Sequence, residues 1–230
     1  MAAVTNHSAM AGAATTMMMQ RELELEPAPS DLFALLPPSE KDMDLQDLHV
    51  VLSAQGVCDA ARDIDVPNAL GAVAPSEVLV EHDDGLHRQV VELAGEHAAL
   101  VFPTATPLPL LILHLKQTEQ FFTISLDVLD DAKQYRTITL SNHRSIVRID
   151  GDTAELPLLC GVGWQYLPID IEALLRDSFG TRLVETVNVT VAASCRLACA
   201  FFAAEQYADA AMPSHLRILQ PSAMLGLLSR

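Results

Sequence analysis

The residues with most chemical potential lie in "EHDDGLH", residues 81–87. His82 and His87, with His97 beyond them, stand near Asp83, Asp84 and Glu96. Imidazole and carboxylate together suit several divalent ions. The spacing fits no zinc template, and a polar linker running into a first strand explains the same residues, so no metal is expected. Cys195 and Cys199 are four apart. On a regular strand they share a face about 13 Å apart, too far for a disulfide or a common metal. They read as buried apolar thiols. The acid pairs Asp130–Asp131 and Asp150 with Asp152 fall in "DDAKQ" and "DGDT", hairpin-turn sequences where Asp is favoured for backbone reasons. There is no G-x-S-x-G elbow, no glycine-rich phosphate cradle, and no evident His partner for Ser145. Without nucleophile, base and orienting group, neither catalysis nor a cofactor is expected.

The arginines are more informative. Arg136, Arg144 and Arg148 lie within or beside adjacent strand-like runs, with Asn142 and His143 at a turn, and Arg176, Arg182 and Arg196 follow. Guanidinium forks pair bidentately with carboxylates, which suits docking on an acidic protein surface. On the residues alone, an ordinary solvated sheet face with protective charge is the favoured account of them.

These side chains must be placed by strands. From about residue 86 apolar residues alternate: 87–93, 98–102, 108–115, 121–129, 135–141, 144–149, 155–159, 164–170, 184–192 and 195–203 all read as strands. Turn residues separate them. Only "IEALLRDSF" (171–179) reads as a helix, capped by Asp170 and closed by Gly180. The pattern predicts an all-β, antiparallel β-sandwich or jelly roll with one short helix. Trp164 is expected to anchor its core. An acidic, largely irregular arm precedes it. Residues 1–84 carry 15 acids and 3 bases, leaving −12; residues 85–230 carry 15 acids and 11 bases, leaving −4. Within the arm, "DLFALLPPSE" (31–40) reads as a short docking turn, 41–55 as a short helix, and 56–84 as linker. The organisation is therefore an arm over 1–84, a β domain over 85–220 and a tail over 221–230, with the arm dispensable for folding.

The acidic balance excludes nucleic-acid binding through the overall field and attraction to anionic lipid. The arm is expected to meet a protein partner. No run approaches the roughly 18 apolar residues of a membrane span, and four scattered cysteines are no disulfide framework. No secretory signal is visible; a reduced, intracellular, soluble protein is expected.

Several phrases, in order, resemble the cilia- and flagella-associated protein twenty family, the small β-domain proteins of the doublet-microtubule inner junction. They are "FFTISLDVLDD" (121–131), "YRTITLSNHRSIVRI" (135–149), "GWQYLPIDIEALLRDSFGTRLVETVNVTVAASCR" (163–196) and "MPSHLRIL" (212–219). The resemblance implies a non-catalytic jelly roll in axonemal doublets, at or near the inner junction or lumen. It would contact tubulin or neighbouring microtubule inner proteins, with the axoneme or basal body as its location. Arg136, Asn142, Arg144, Arg148, Arg182 and Arg196 match family positions and become the candidate partner contacts. Where the family carries several arginines, this chain has "LACAFFAAEQYADAA" (197–211), which is expected to pack against another protein. A divergent paralogue is the reading. A ciliary or centriolar adaptor that does not touch tubulin, and a ligand-binding jelly roll, are the alternatives.

Overall fold

The computed structural model describes residues 45–53 and 71–217. Two strands of 21 residues organise it: β6 (Leu110–Asp130) and β11 (Leu183–Ala203). They pair antiparallel, with a wide break in mid-ladder. Gln117 faces Cys195 and Phe122 faces Ala193, so residues 118–121 stand against the single residue 194. On one side of this break lie β10 (Trp164–Asp170), β1 (Leu48–Leu52), β4 (Arg88–Leu93) and β3 (Val78–Asp83). On the other lie β5 (Ala99–Thr106) with β2 (Ala72–Val73) at its edge, and β7 (Tyr135–Ser141), β9 (Thr153–Pro157) and β8 (Arg148–Asp150) in that order. Both halves feed one core. Leu111, Leu113 and Leu115 come from the first, Ile124, Leu126, Val128, Val189 and Val191 from the second, all fully buried. Strands that bend across from one layer to the other make a sandwich from a single hydrogen-bonded sheet.

The all-β sandwich with one helix is therefore correct. Its helix, α1 (Ile171–Phe179), starts where Asp170 Oδ1 accepts from the Ala173 N–H at 2.9 Å. It stops at Gly180, whose φ of 70° is cheap without a Cβ. The sheet is mixed rather than purely antiparallel, because β7 and β9 run parallel. The chain leaves β7, lays β8 at the outside edge, and returns as β9 between the two.

Several expectations need correction. The helix over 41–55 is, where described, a 3-10 turn (Leu45–Asp47) and then β1, which pairs with Ala200–Ala203. Val50 and Val51 fit a pleated edge as well as a helix face, and the open flank of β11 decides. The linker over 56–84 contains β2 and β3, and the boundary at residue 84 falls inside the β3–β4 hairpin. Val78 and Leu52 are buried in the core, so this part of the arm packs with the β domain. The docking turn at 31–40, the remainder of the arm and the tail over 221–230 lie outside the described residues.

The first half of the run 197–211 packs inside this chain. Leu197 to Ala203 are interior on both faces. Leu197, Ala200 and Phe202 enter the main core, while Cys199, Phe201 and Ala203 turn outward with Ile112. The chain's own residues 207–216 close over that second face through Tyr207, Met212 and Leu216. Cys195 and Cys199 likewise do not share a face: the register slips between Leu197 and Cys199, and one extra residue inverts the alternation. Both thiols are buried, and burial raises them to about 12 and about 11. Trp164 is half-buried and belongs to neither apolar cluster; its ring sits 5.1 Å from that of His114.

Candidate functional site

The six candidate contact residues divide by what already holds them. Arg136, on β7, is the most committed. Its Nε donates to Asp130 Oδ2 at 3.0 Å, its Nη1 pairs with Asp152, and its guanidinium lies 4.9 Å from the Phe179 ring centre. It thus ties the β6–β7 turn, the β8–β9 turn and the end of α1 together. Burial pushes the fully enclosed Asp130 carboxyl up, but the Gln134 N–H, the Arg136 fork and charge, and the Thr181 hydroxyl outweigh it and hold it below 3.8.

Asn142 repairs backbone. Its Oδ1 accepts from the Phe122 N–H and its Nδ2 donates to the Gln120 carbonyl, both at 2.9 Å. Those groups lie at the edge of the β6–β11 break. Arg196, on the second half of β11, is ringed by Glu92 at 2.6 Å, Glu81 at 3.4 Å and Asp83 at 3.6 Å. None of these three is free to meet a partner without first giving up partners of its own.

Arg144, Arg148 and Arg182 differ. Arg144 pairs with Glu155 of β9 at 2.6 Å. Arg148 stands opposite the same Glu155 in the β8–β9 register and, among the described residues, pairs only with the exposed Asp150, at 3.4 Å. Ion pairs this open contribute little. Arg182 is clipped by its backbone to Asp131 (N–H to Oδ1 at 3.1 Å), while its exposed side chain makes no ion pair among the described residues.

The structure adds residues the sequence reading passed over. Every residue of 145–150 is exposed, with Ile146, Val147 and Ile149 at 76%, 46% and 47%. They occupy the outer edge of the sheet, interleaved with Arg144 and Arg148. The one sequence signal was "SIVRI", apolar residues with an arginine at either side of Ile146–Val147; a strand pattern alone does not say that neither face is covered. Ile149 lies on the edge strand β8, and Ile146 and Val147 lie in the segment leading into it; exposed apolar side chains at an open sheet edge are a place where another chain can dock.

In the histidine–acid segment, Asp83 is taken up by turn formation. Asp83 Oδ1 accepts from the N–H groups of Gly85 and Leu86, both at 3.0 Å, closing the β3–β4 turn. Burial raises the Asp83 carboxyl, but these N–H groups, the Trp164 indole and Lys116 prevail and lower it. The nearby buried His114 is held neutral, at about 4, by burial and by the Arg88 charge against the weaker pull of Asp83. Among the described residues no three His, Cys, Asp or Glu side chains are placed to hold a metal.

Residues 68–220 match the CFA20 domain. Among curated relatives, "Cilia- and flagella-associated protein 20" of Paramecium tetraurelia and that of Chlamydomonas reinhardtii are each 26% identical over 148 residues, 60% of this chain and 78% of theirs. The Caenorhabditis elegans protein of the same name is 24% identical over 148 residues, covering 60% of this chain and 73% of its own. The match begins before β3, in agreement with strands that start earlier than residue 85.

Proposed function

The chain belongs to the CFA20-domain family, and on that premise we propose that it is a non-catalytic structural component of cilia or flagella that docks through its 143–150 edge. Membership supports the ciliary or flagellar association, since the relatives carry that association in their names. The finer reading is a position in the axonemal doublet microtubule, at or near the inner junction or lumen, in contact with tubulin or neighbouring microtubule inner proteins. One observation carries the choice of edge. Ile146, Val147 and Ile149 lie exposed beside two arginines held only by open ion pairs, Arg148 and Arg144. Apolar side chains supply contact energy there, and the arginines supply orientation toward carboxylates. Full-length protein carrying a fluorescent tag should concentrate along the axoneme of a ciliated cell and remain after detergent extraction. A diffuse cell-body signal that washes out would end this reading.

A second reading is an adaptor in a centriolar, basal-body or ciliary complex that never touches tubulin. The net charge of −16 favours it. An acidic chain whose Arg136 and Arg196 are already neutralised internally is repelled by another acidic surface. Retention at the basal body alone would select this reading.

A further inference from the structure

The break between β6 and β11 leaves a cleft. Glu96, Gln120, Phe121, Ala193 and Ser194 line an open cavity of about 590 Å³, within the size range of ligand-binding clefts. Its origin is the register: four residues of β6 bow away from one residue of β11. The floor is held in an uncommon conformation, Ala193 having a φ of 65°. A non-glycine residue in the left-handed region carries strain that surrounding structure must hold in place, and such positions gather at binding sites. Asn142 and the Thr118 hydroxyl, which donates to the Ser194 carbonyl at 3.0 Å, satisfy backbone groups around the opening.

The lining has a definite chemistry. Phe121 is 70% exposed, unusual for a phenylalanine on a well-formed strand. One neighbour, His143, orients it with ring centres 5.1 Å apart. The Glu96 carboxylate and the Gln120 amide make no side-chain hydrogen bond or ion pair among the described residues, and the nearly buried Ser194 hydroxyl takes no partner there either. Among the described residues no basic side chain lines the cavity. An aromatic face, an unpaired carboxylate and two neutral polar groups around one cleft match a flat cation.

We infer that this cleft receives an arginine side chain from a partner polypeptide, its guanidinium stacked on Phe121 and paired with Glu96. Guanidinium is the cation whose planar form uses both groups at once, and the net charge of the chain favours a basic segment. The site touches the 143–150 edge through His143, but the inference does not rest on the function proposed for that edge.

The probe is the blocked peptide acetyl-Gly-Arg-Gly-amide, with acetyl-Gly-Gln-Gly-amide as control. Full-length protein with 13C-labelled alanine methyls is titrated by NMR. The Ala193 signal is assigned through Ala193→Gly, which suits a positive φ. The arginine peptide should shift that methyl saturably and the glutamine peptide should not. Glu96→Gln and Phe121→Leu should each weaken binding about threefold or more, with melting temperatures unchanged because both side chains are exposed. No saturable shift, an equal response to the glutamine peptide, or binding that survives both substitutions would overturn the inference.

Discussion

Replacing Arg136 with leucine separates a structural role from a docking role. Asp130 is fully enclosed and Arg136 is its only cationic partner among the described residues, at 3.0 Å. Removing one member of a buried pair leaves an uncompensated charge, which costs about 3–5 kcal/mol. The Arg136 side chain is 15% exposed and Asp152 more so, so water reaches the pair and the low end applies, about 3 kcal/mol. For a chain this long that lowers the melting temperature by roughly 6–12 °C. The loss has a definite pH dependence. In the native protein the Asp130 carboxyl lies below its ordinary 3.8. Its stabilisation is therefore present above that value and is lost as the pH falls through the folded-state value. Without Arg136 the carboxyl moves up, so the variant's deficit is largest near neutrality and shrinks in acid. Urea denaturation of wild type and Arg136→Leu at pH 7 and near pH 4 reads both effects. A variant as stable as wild type at pH 7 that has lost partner binding would refute the reasoning and return Arg136 to the docking surface.

Three further outcomes are expected. Asn142→Ala strands the Phe122 N–H and the Gln120 carbonyl and should cost about 1–3 kcal/mol, read by denaturant titration; a loss near zero would show that water replaces the amide. Deleting residues 1–84 removes β1, β2 and β3, and the burial of Leu52 and Val78 alone represents about 3–6 kcal/mol, comparable to total domain stability. The truncated chain should lose cooperative thermal unfolding, and a sharp transition would restore the arm as dispensable. Leu216→Ala opens the cover over Phe201 and Ile112 and should cost about 2–3 kcal/mol with increased binding of a hydrophobic dye; unchanged dye binding would mean the second face is sealed by other residues.

The alternating runs were legible because one face of each strand meets the core, and the helix was legible because Asp170 and Gly180 mark both of its ends. The joining of 108–115 to 121–129 was not. The intervening "KQTEQ" is polar, and only its position between two pairing partners makes it strand. The β1 segment has apolar spacing compatible with a helix and was decided by the free flank of β11. Among the site residues, arginine type and strand context were visible, but pairing was not. Arg136 and Arg196 meet carboxylates 6 to 115 positions away in the chain, and no local pattern records such a partner. Phe121 opens the strand-like run 121–129, and nothing local in "FFTISL" records that it stands 70% exposed beside the break in the β6–β11 ladder.

The most direct measurement is co-sedimentation of full-length protein with salt-washed axonemes, compared with an Ile146→Asp/Ile149→Asp variant. Both side chains are exposed, so the variant should melt at the wild-type temperature. The account predicts that wild type pellets with the axonemes while the variant stays in the supernatant. Equal pelleting of the two would contradict docking through the 143–150 edge.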